Sequence, residues 1–219
     1  MKAVDTSLFH RVLLPENSQA DVHPAVLFIH GRGADEEDLL GLSATLDPRL
    51  MFISVRAPFR FEFGGYTWFE ILEQGKPEHS MFKESYDKLL AFITDARATY
   101  PIDPNKLFLF GFSMGTVMSY ALTLTRPELF AGVVACSGYL AEETHLEYRW
   151  NAVAGKELII THGRFDPLIP VHAARRARLL FENAHACISY REYDMEHQIS
   201  NESLTDIDAW LRQRLNTQA

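Results

Sequence analysis

Six short apolar runs, separated by longer segments of helical period, constrain this chain more than any other feature. The runs cover 25–29, 51–55, 107–110, 131–136, 158–161 and 188–193. Most are rich in Val, Ile and Phe and lack period-two alternation. Strands buried on both faces of a parallel sheet read this way, because helices cover each side. The segment 12–14 reads as an extra edge strand that Pro15 ends. Between the runs, helices are predicted over 36–46, with Asp35 as N-cap, and over 84–100, stopped by Pro101. Three more are predicted over 115–125, 171–183 and 203–215. The segment 115–125 is apolar or small all round, as in a buried helix. Strand alternating with helix predicts an α/β fold with a mostly parallel sheet.

Composition narrows the class. A chain of 219 residues fits one domain over 1–219, and no linker, repeat or low-complexity tract divides it. With 47% hydrophobic and 23% charged residues, disorder, collagen and coiled coil are excluded as the main architecture. The net charge of −8 argues against nucleic acid and anionic membrane as main partners, since both require a basic surface. Cys136 and Cys187 form neither a metal motif nor a disulfide framework, and Cys136 reads as a core thiol. No apolar leader follows Lys2 and no run approaches the ~20 residues of a membrane span. The expectation is a cytoplasmic protein with no membrane span. The segment 59–79 stands apart: it is aromatic and Gly-containing, and long loops in compact domains are usually functional. The alternation of Phe59, Phe61 and Phe63 with Arg60 and Glu62 also fits a small hairpin with a half-buried face.

The run 107–110 leads directly into Gly111-Phe112-Ser113-Met114-Gly115 and then into the buried helix. Gly-x-Ser-x-Gly between strand and helix forms a turn so sharp that only small residues fit two before and two after the serine. Ser113 then stands at the carboxyl ends of the strands, over a helix N-terminus that offers free N–H groups to a developing oxyanion. A serine hydroxyl requires a neighbouring base. In this setting the acid and then the histidine follow the serine, each past a strand end. Asp166 lies just past 158–161, and His197 just past 188–193. Nine histidines compete for the role of base, but most lie in polar or helical stretches. His30 and His162 sit at strand ends beside glycines and read as structural hydrogen-bonders. Asp194 reads as a solvated turn carboxylate. No His pair has metal-ligand spacing, so no metal is expected. One oxyanion N–H is assigned to Met114. The other is assigned to Arg32, in His30-Gly31-Arg32-Gly33 after the strand 25–29. That loop lacks the endings of a P-loop or a dinucleotide fingerprint.

Several motifs coincide in order: 27–33, Arg56-Ala57-Pro58, Trp68-Phe69-Glu70, Gly111 to Gly115, His162-Gly163-x-x-Asp166 and Met195-x-His197. Together they resemble the phospholipase/carboxylesterase family of α/β-hydrolases, which includes acyl-protein thioesterases. The resemblance spans about residue 26 to the C-terminus. It implies an α/β-hydrolase fold with helices on both faces of the sheet and no large cap domain. It also implies hydrolysis of carboxylic esters or thioesters without a cofactor. It places the triad on Ser113, Asp166 and His197, the oxyanion amides on Arg32 and Met114, and Trp68 and Phe69 nearest the site. A homodimer is also implied, though no feature of the sequence demands one. Leu168 and Ile169, just past Asp166, are further candidates for the pocket wall, with core packing as their alternative. The family commonly carries Leu at 32, Gln at 114, Gly or Ala at 116 and Asp at 70. Arg32 therefore either favours an anionic substrate group or turns away to solvent or to Asp35 or Glu36. Two rivals fit the same residues: cleavage of a lactone or ring-fission product by the same triad, and a non-catalytic binding module.

Overall fold

The computed structural model describes residues 8–15, 20–73 and 75–216. The segment after Lys2, read above for a leader, lies partly outside them. The strands of the main sheet are β1 (His10–Leu13), β2 (His23–Ile29), β3 (Met51–Val55), β8 (Ile102–Phe112), β9 (Gly132–Cys136), β10 (Glu157–Gly163) and β11 (Cys187–Tyr193). Their order is β1-β3-β2-β8-β9-β10-β11. β1 pairs antiparallel with β3, and every other neighbouring pair is parallel. All six apolar runs are strands of this sheet, and the segment before Pro15 supplies its antiparallel edge.

Among the described residues four α-helices cover the sheet: α1 (His79–Thr99), α2 (Met114–Thr125), α3 (Val171–Asn183) and α4 (Asn201–Asn216). Side chains alternate along each strand, so the sheet separates two cores. One contains Leu27, Ile29 and Leu109 with Leu89 and Phe92 of α1, Tyr120 of α2 and Phe181 of α3. The other contains Phe28, Phe108 and Phe110 with Ile207, Trp210 and Leu211 of α4. Every residue of α2 is buried, as its sequence predicts. Cys136 is fully buried in β9, where burial pushes its thiol up to about 12.

One segment differs from expectation, and in a second the structure decides between the two readings left open. No α-helix forms over 36–46; turns lead into a short 3-10 segment, Leu40–Ala44. Glu36 is drawn inward by Arg56, whose Nε and Nη2 donate to its two carboxylate oxygens at 2.5 and 2.6 Å. Asp35 Oδ1 accepts from the N–H of Glu37 at 2.9 Å, holding a local turn. Gly41 and Ser43 then add little helix propensity. The segment 59–79 contains two small hairpins before the start of α1. They are β4 (Phe59–Arg60) with β5 (Tyr66–Thr67), and β6 (Ile71–Glu73) with β7 (Lys76–Pro77).

Candidate active site

The turn between β8 and α2 is as tight as its glycines require. A Cβ at Gly115 would stand 1.7 Å from the Ile29 carbonyl oxygen, and one at Gly111 would stand 2.5 Å from backbone atoms of Gly115 and Thr116. Between them Ser113 takes φ 55° and ψ −116°. A non-glycine residue at positive φ is strained, and such strain gathers at functional sites. The conformation is held from both sides. The N–H of Ser113 donates to the Cys136 carbonyl at 3.0 Å, and its carbonyl accepts from Thr116 and Val117 of α2 at 3.0 and 3.3 Å. The Thr116 hydroxyl adds a brace, 2.8 Å from the Gly111 carbonyl and 2.7 Å from that of Cys136. The Ser113 hydroxyl itself makes no hydrogen bond among the described residues.

Asp166 and His197 come together because β10 and β11 are parallel neighbours whose last paired residues are Gly163 and Tyr193. The two following loops bind each other: Arg164 N–H donates to Tyr193 at 2.8 Å and Phe165 N–H to Met195 at 3.2 Å. Gly163 permits the approach, since a Cβ there would stand 2.2 Å from the Met195 carbonyl oxygen. Asp166 Oδ1 accepts from the N–H groups of Leu168 and Ile169 at 2.9 and 2.8 Å. Its Oδ2 lies 2.7 Å from His197 Nδ1. A carboxylate only accepts, so Nδ1 carries the proton and Nε2 is the basic nitrogen. The Phe112 ring lies 4.9 Å from the imidazole. Asp194 pairs with Arg164 at 2.5 Å near solvent and takes no part in this arrangement.

His30 shapes the neighbouring loop. Its Nε2 accepts from the Ala57 N–H at 3.0 Å, and its Nδ1 lies 2.6 Å from the Gly31 carbonyl. Burial pulls its pKa down, keeping it neutral. Past Gly31 the N–H of Arg32 finds no acceptor among the described residues, and neither does that of Met114 at the start of α2. The Met114 side chain is turned inward, where its sulfur meets the Thr67 hydroxyl at 3.4 Å.

A cavity of about 1050 Å³ opens over this edge of the sheet and is bordered by Arg32, Ser113, Met114, Leu168, Ile169 and His197. Trp68 and Phe69 do not border it: both are fully buried behind it. The Trp68 indole donates to the His30 carbonyl at 2.9 Å, and Phe69 packs edge-on against Phe82. The Trp68 ring thus supports, from within the core, the loop that carries Arg32. The walls are Phe61, Ile71, Phe112, Tyr139 and Leu140 instead. A signal for the last two was present, since they directly follow the end of β9, on the carboxyl side where ligands bind open α/β sheets. Arg32 pairs with neither Asp35 nor Glu36. It lies over the Phe61 ring at 4.4 Å and forms an ion pair with Glu70. Arg176, also on the rim, is engaged by Glu142 at 3.0 and 2.9 Å. Among the described residues no group of three or more His, Cys, Asp or Glu is placed to hold a metal ion, and no helix is long and apolar enough to cross a membrane.

A serine on a strained strand-to-helix turn, over a mostly parallel sheet, with an Asp–His pair delivered by the next loops, defines an α/β-hydrolase. Comparison with known proteins narrows this further: the Phospholipase/Carboxylesterase family model matches residues 14–215, so the chain belongs to that family. A probable carboxylesterase of Arabidopsis thaliana is 26% identical over 157 residues, 69% of this chain and 60% of that protein. Acyl-protein thioesterase 1 of Candida albicans is 23% identical over 222 residues, 92% of this chain and 96% of its own. The crystal structure of a Bacillus cereus carboxylesterase shares the fold with a TM-score of 0.82, at 23% identity over 94% of each chain. One from Mesorhizobium loti does so with a TM-score of 0.85, at 18% identity over 96% of this chain and 97% of that one. As a member of this family the chain is a hydrolase, and these relatives do not favour the lactone alternative.

Proposed function

We propose that the chain cleaves neutral carboxylic esters or thioesters through an acyl-enzyme on Ser113. The observation that carries this reading is the 2.7 Å bond from His197 Nδ1 to Asp166, with His197 and Ser113 bordering one cavity. The bond leaves Nε2 to take the hydroxyl proton as Ser113 attacks the carbonyl carbon. Catalytic hydrogen bonds of this type often close only once substrate is bound. The charge on the carbonyl oxygen develops against the N–H groups of Arg32 and Met114, for which the described residues supply no acceptor. Asp166 stabilises the imidazolium that forms, the imidazolium protonates the departing alcohol or thiol, and water releases the acyl group by the reverse steps.

The wall residues Phe61, Ile71, Leu168 and Ile169 favour an apolar acyl or leaving group. The rim charges favour a neutral one. Arg32 and Arg176 are each engaged by a glutamate, whereas Asp38, which also borders the cavity, has no ion pair among the described residues. The acyl length is read by offering aryl esters of increasing chain length beside a thioester and an acidic ester. A cytoplasmic location and a homodimer are part of the same reading; fractionation and sedimentation test them.

Ser113→Ala is expected to abolish ester hydrolysis while leaving the fold intact by circular dichroism. A fluorophosphonate is expected to add its mass to the Ser113 peptide of the parent protein. Full residual turnover in the variant overturns the mechanism.

A further inference from the structure

Asp166 accepts N–H bonds from Leu168, Ile169 and His197, and a further donor approaches it from a residue outside the proposed triad. His162 lies near the end of β10 with its side chain fully buried. Its Nε2 is 2.7 Å from the Ile169 carbonyl oxygen and 3.4 Å from Asp166 Oδ2. A carbonyl only accepts, so Nε2 carries the ring proton and Nδ1 is bare. That Nδ1 is buried and has no hydrogen-bond partner. A bare buried nitrogen is a cost that an apolar side chain of similar size would not incur. The position therefore benefits from what the other nitrogen does.

Ile169 shows what that is. Its N–H donates to Asp166 Oδ1, and its carbonyl accepts from His162. The turn that presents the carboxylate is thus closed on one side by Asp166 itself and on the other by His162. We propose that His162 is a positioning residue: its Nε2–H bond to the Ile169 carbonyl fixes the Asp166 turn, and the same N–H dipole stands 3.4 Å from the Oδ2 that faces His197. The inference rests on the Ser113, His197 and Asp166 reading given above. The ring must stay neutral for this, since a second ring proton would have no acceptor. The charged groups around it are Asp166 on its own loop, His197 from the loop after β11, and Glu192 on β11. Glu192 is engaged by Arg175 of α3 and by Tyr190.

The test compares His162→Leu with His162→Gln, whose amide keeps an N–H near the position of Nε2. Without the N–H, Asp166 offers more of its negative charge to His197 and favours the imidazolium. The acidic limb of the kcat/KM profile is expected to move to higher pH in the Leu variant, with kcat lower by roughly 10-fold and KM little changed. The Gln variant is expected to return the limb toward its parent position. A limb unmoved in the Leu variant, or a Gln variant no better than Leu, overturns the proposal. A purely structural role would lower the folded fraction without moving the limb. Should the Leu variant not fold, His162→Asn, whose shorter amide stops short of Asp166, replaces it, and a profile equal to that of Gln overturns the proposal. Turnover retained by Ser113→Ala would instead overturn the triad reading. Turnover abolished there, beside an unmoved limb here, would overturn only the role of His162.

Discussion

At the mouth of the cavity the Arg32 guanidinium is held between the Phe61 ring and Glu70. Residues 32 and 70 are two of the positions at which the chain departs from what the family commonly carries, and the two departures touch. Read along the chain, Arg32 invites an anionic substrate; paired with Glu70, it is largely neutralised. Arg32→Leu would leave the Glu70 carboxylate without its cation. Hydrolysis of an acidic ester is then expected to fall by roughly 3-fold relative to a neutral one, with the difference shrinking as salt is added. Paired rate measurements at low and high ionic strength check this, and a gain for the acidic ester would refute it. At Asp166 the chemistry is more sensitive. Asp166→Asn no longer holds the proton on His197 Nδ1, so kcat is expected to fall on the order of 10⁴-fold with the fold retained. Single-turnover acylation by an activated ester separates that loss from weaker binding.

At the scale of elements, the site depends on how closely α2 sits against β2. Gly115 meets the Ile29 carbonyl, which is backbone and cannot yield as a side-chain tip would. Gly115→Ala is expected to cost about 3 kcal/mol or more and to lower Tm by roughly 10 °C. It is also expected to suppress fluorophosphonate labelling of Ser113. Gly41→Ala is the contrasting case: a Cβ there meets nothing within 4 Å and the residue is not at positive φ, so stability is expected to hold or to rise slightly. Thermal denaturation of the two variants side by side decides both. The elbow was readable in the sequence for the same physical reason: where a strand turns at once into a buried helix, backbones this close leave room only for glycine-sized residues on either side of the serine. The strands were readable because parallel sheet strands are apolar on both faces. The 36–46 segment was not, since a helical pattern says nothing of an arginine 20 residues further on that pulls Glu36 out of it. The resemblance put Trp68 and Phe69 nearest the site, but matching motifs do not reveal which rings face the core and which face a cavity.

Across the whole molecule, buried or paired titratable groups join elements that lie far apart in sequence, so acid should loosen the protein in stages. His30 and His162 are held below their ordinary value mainly by burial. The unfolded chain therefore takes up their protons first, and their contribution, present above about pH 6.5, is lost as pH falls below it. Carboxylates follow. Glu192, on the edge strand β11, is held at about 2, chiefly by Arg175 of α3. Asp47, bound by Arg49 and Arg212, and Glu36, where burial pushes upward but Arg56, a backbone N–H and Arg11 together outweigh it, are also held below the usual carboxylate range. A carboxyl lowered on folding stabilises above its unfolded value and loses that contribution as pH falls through the folded one. For Glu192 the window runs from about 4.5 down to about 2. Glu192→Gln keeps the side chain's size but removes the charge that joins β11 to α3. Urea denaturation of the parent and the variant is expected to show a gap in stability at pH 7 that is unchanged down to about pH 4.5. The gap should narrow below that point and close as pH falls past about 2, where the parent's own carboxylate also becomes neutral. A gap that stays constant across this range would show that shape and packing at position 192, rather than its charge, secure this edge of the sheet.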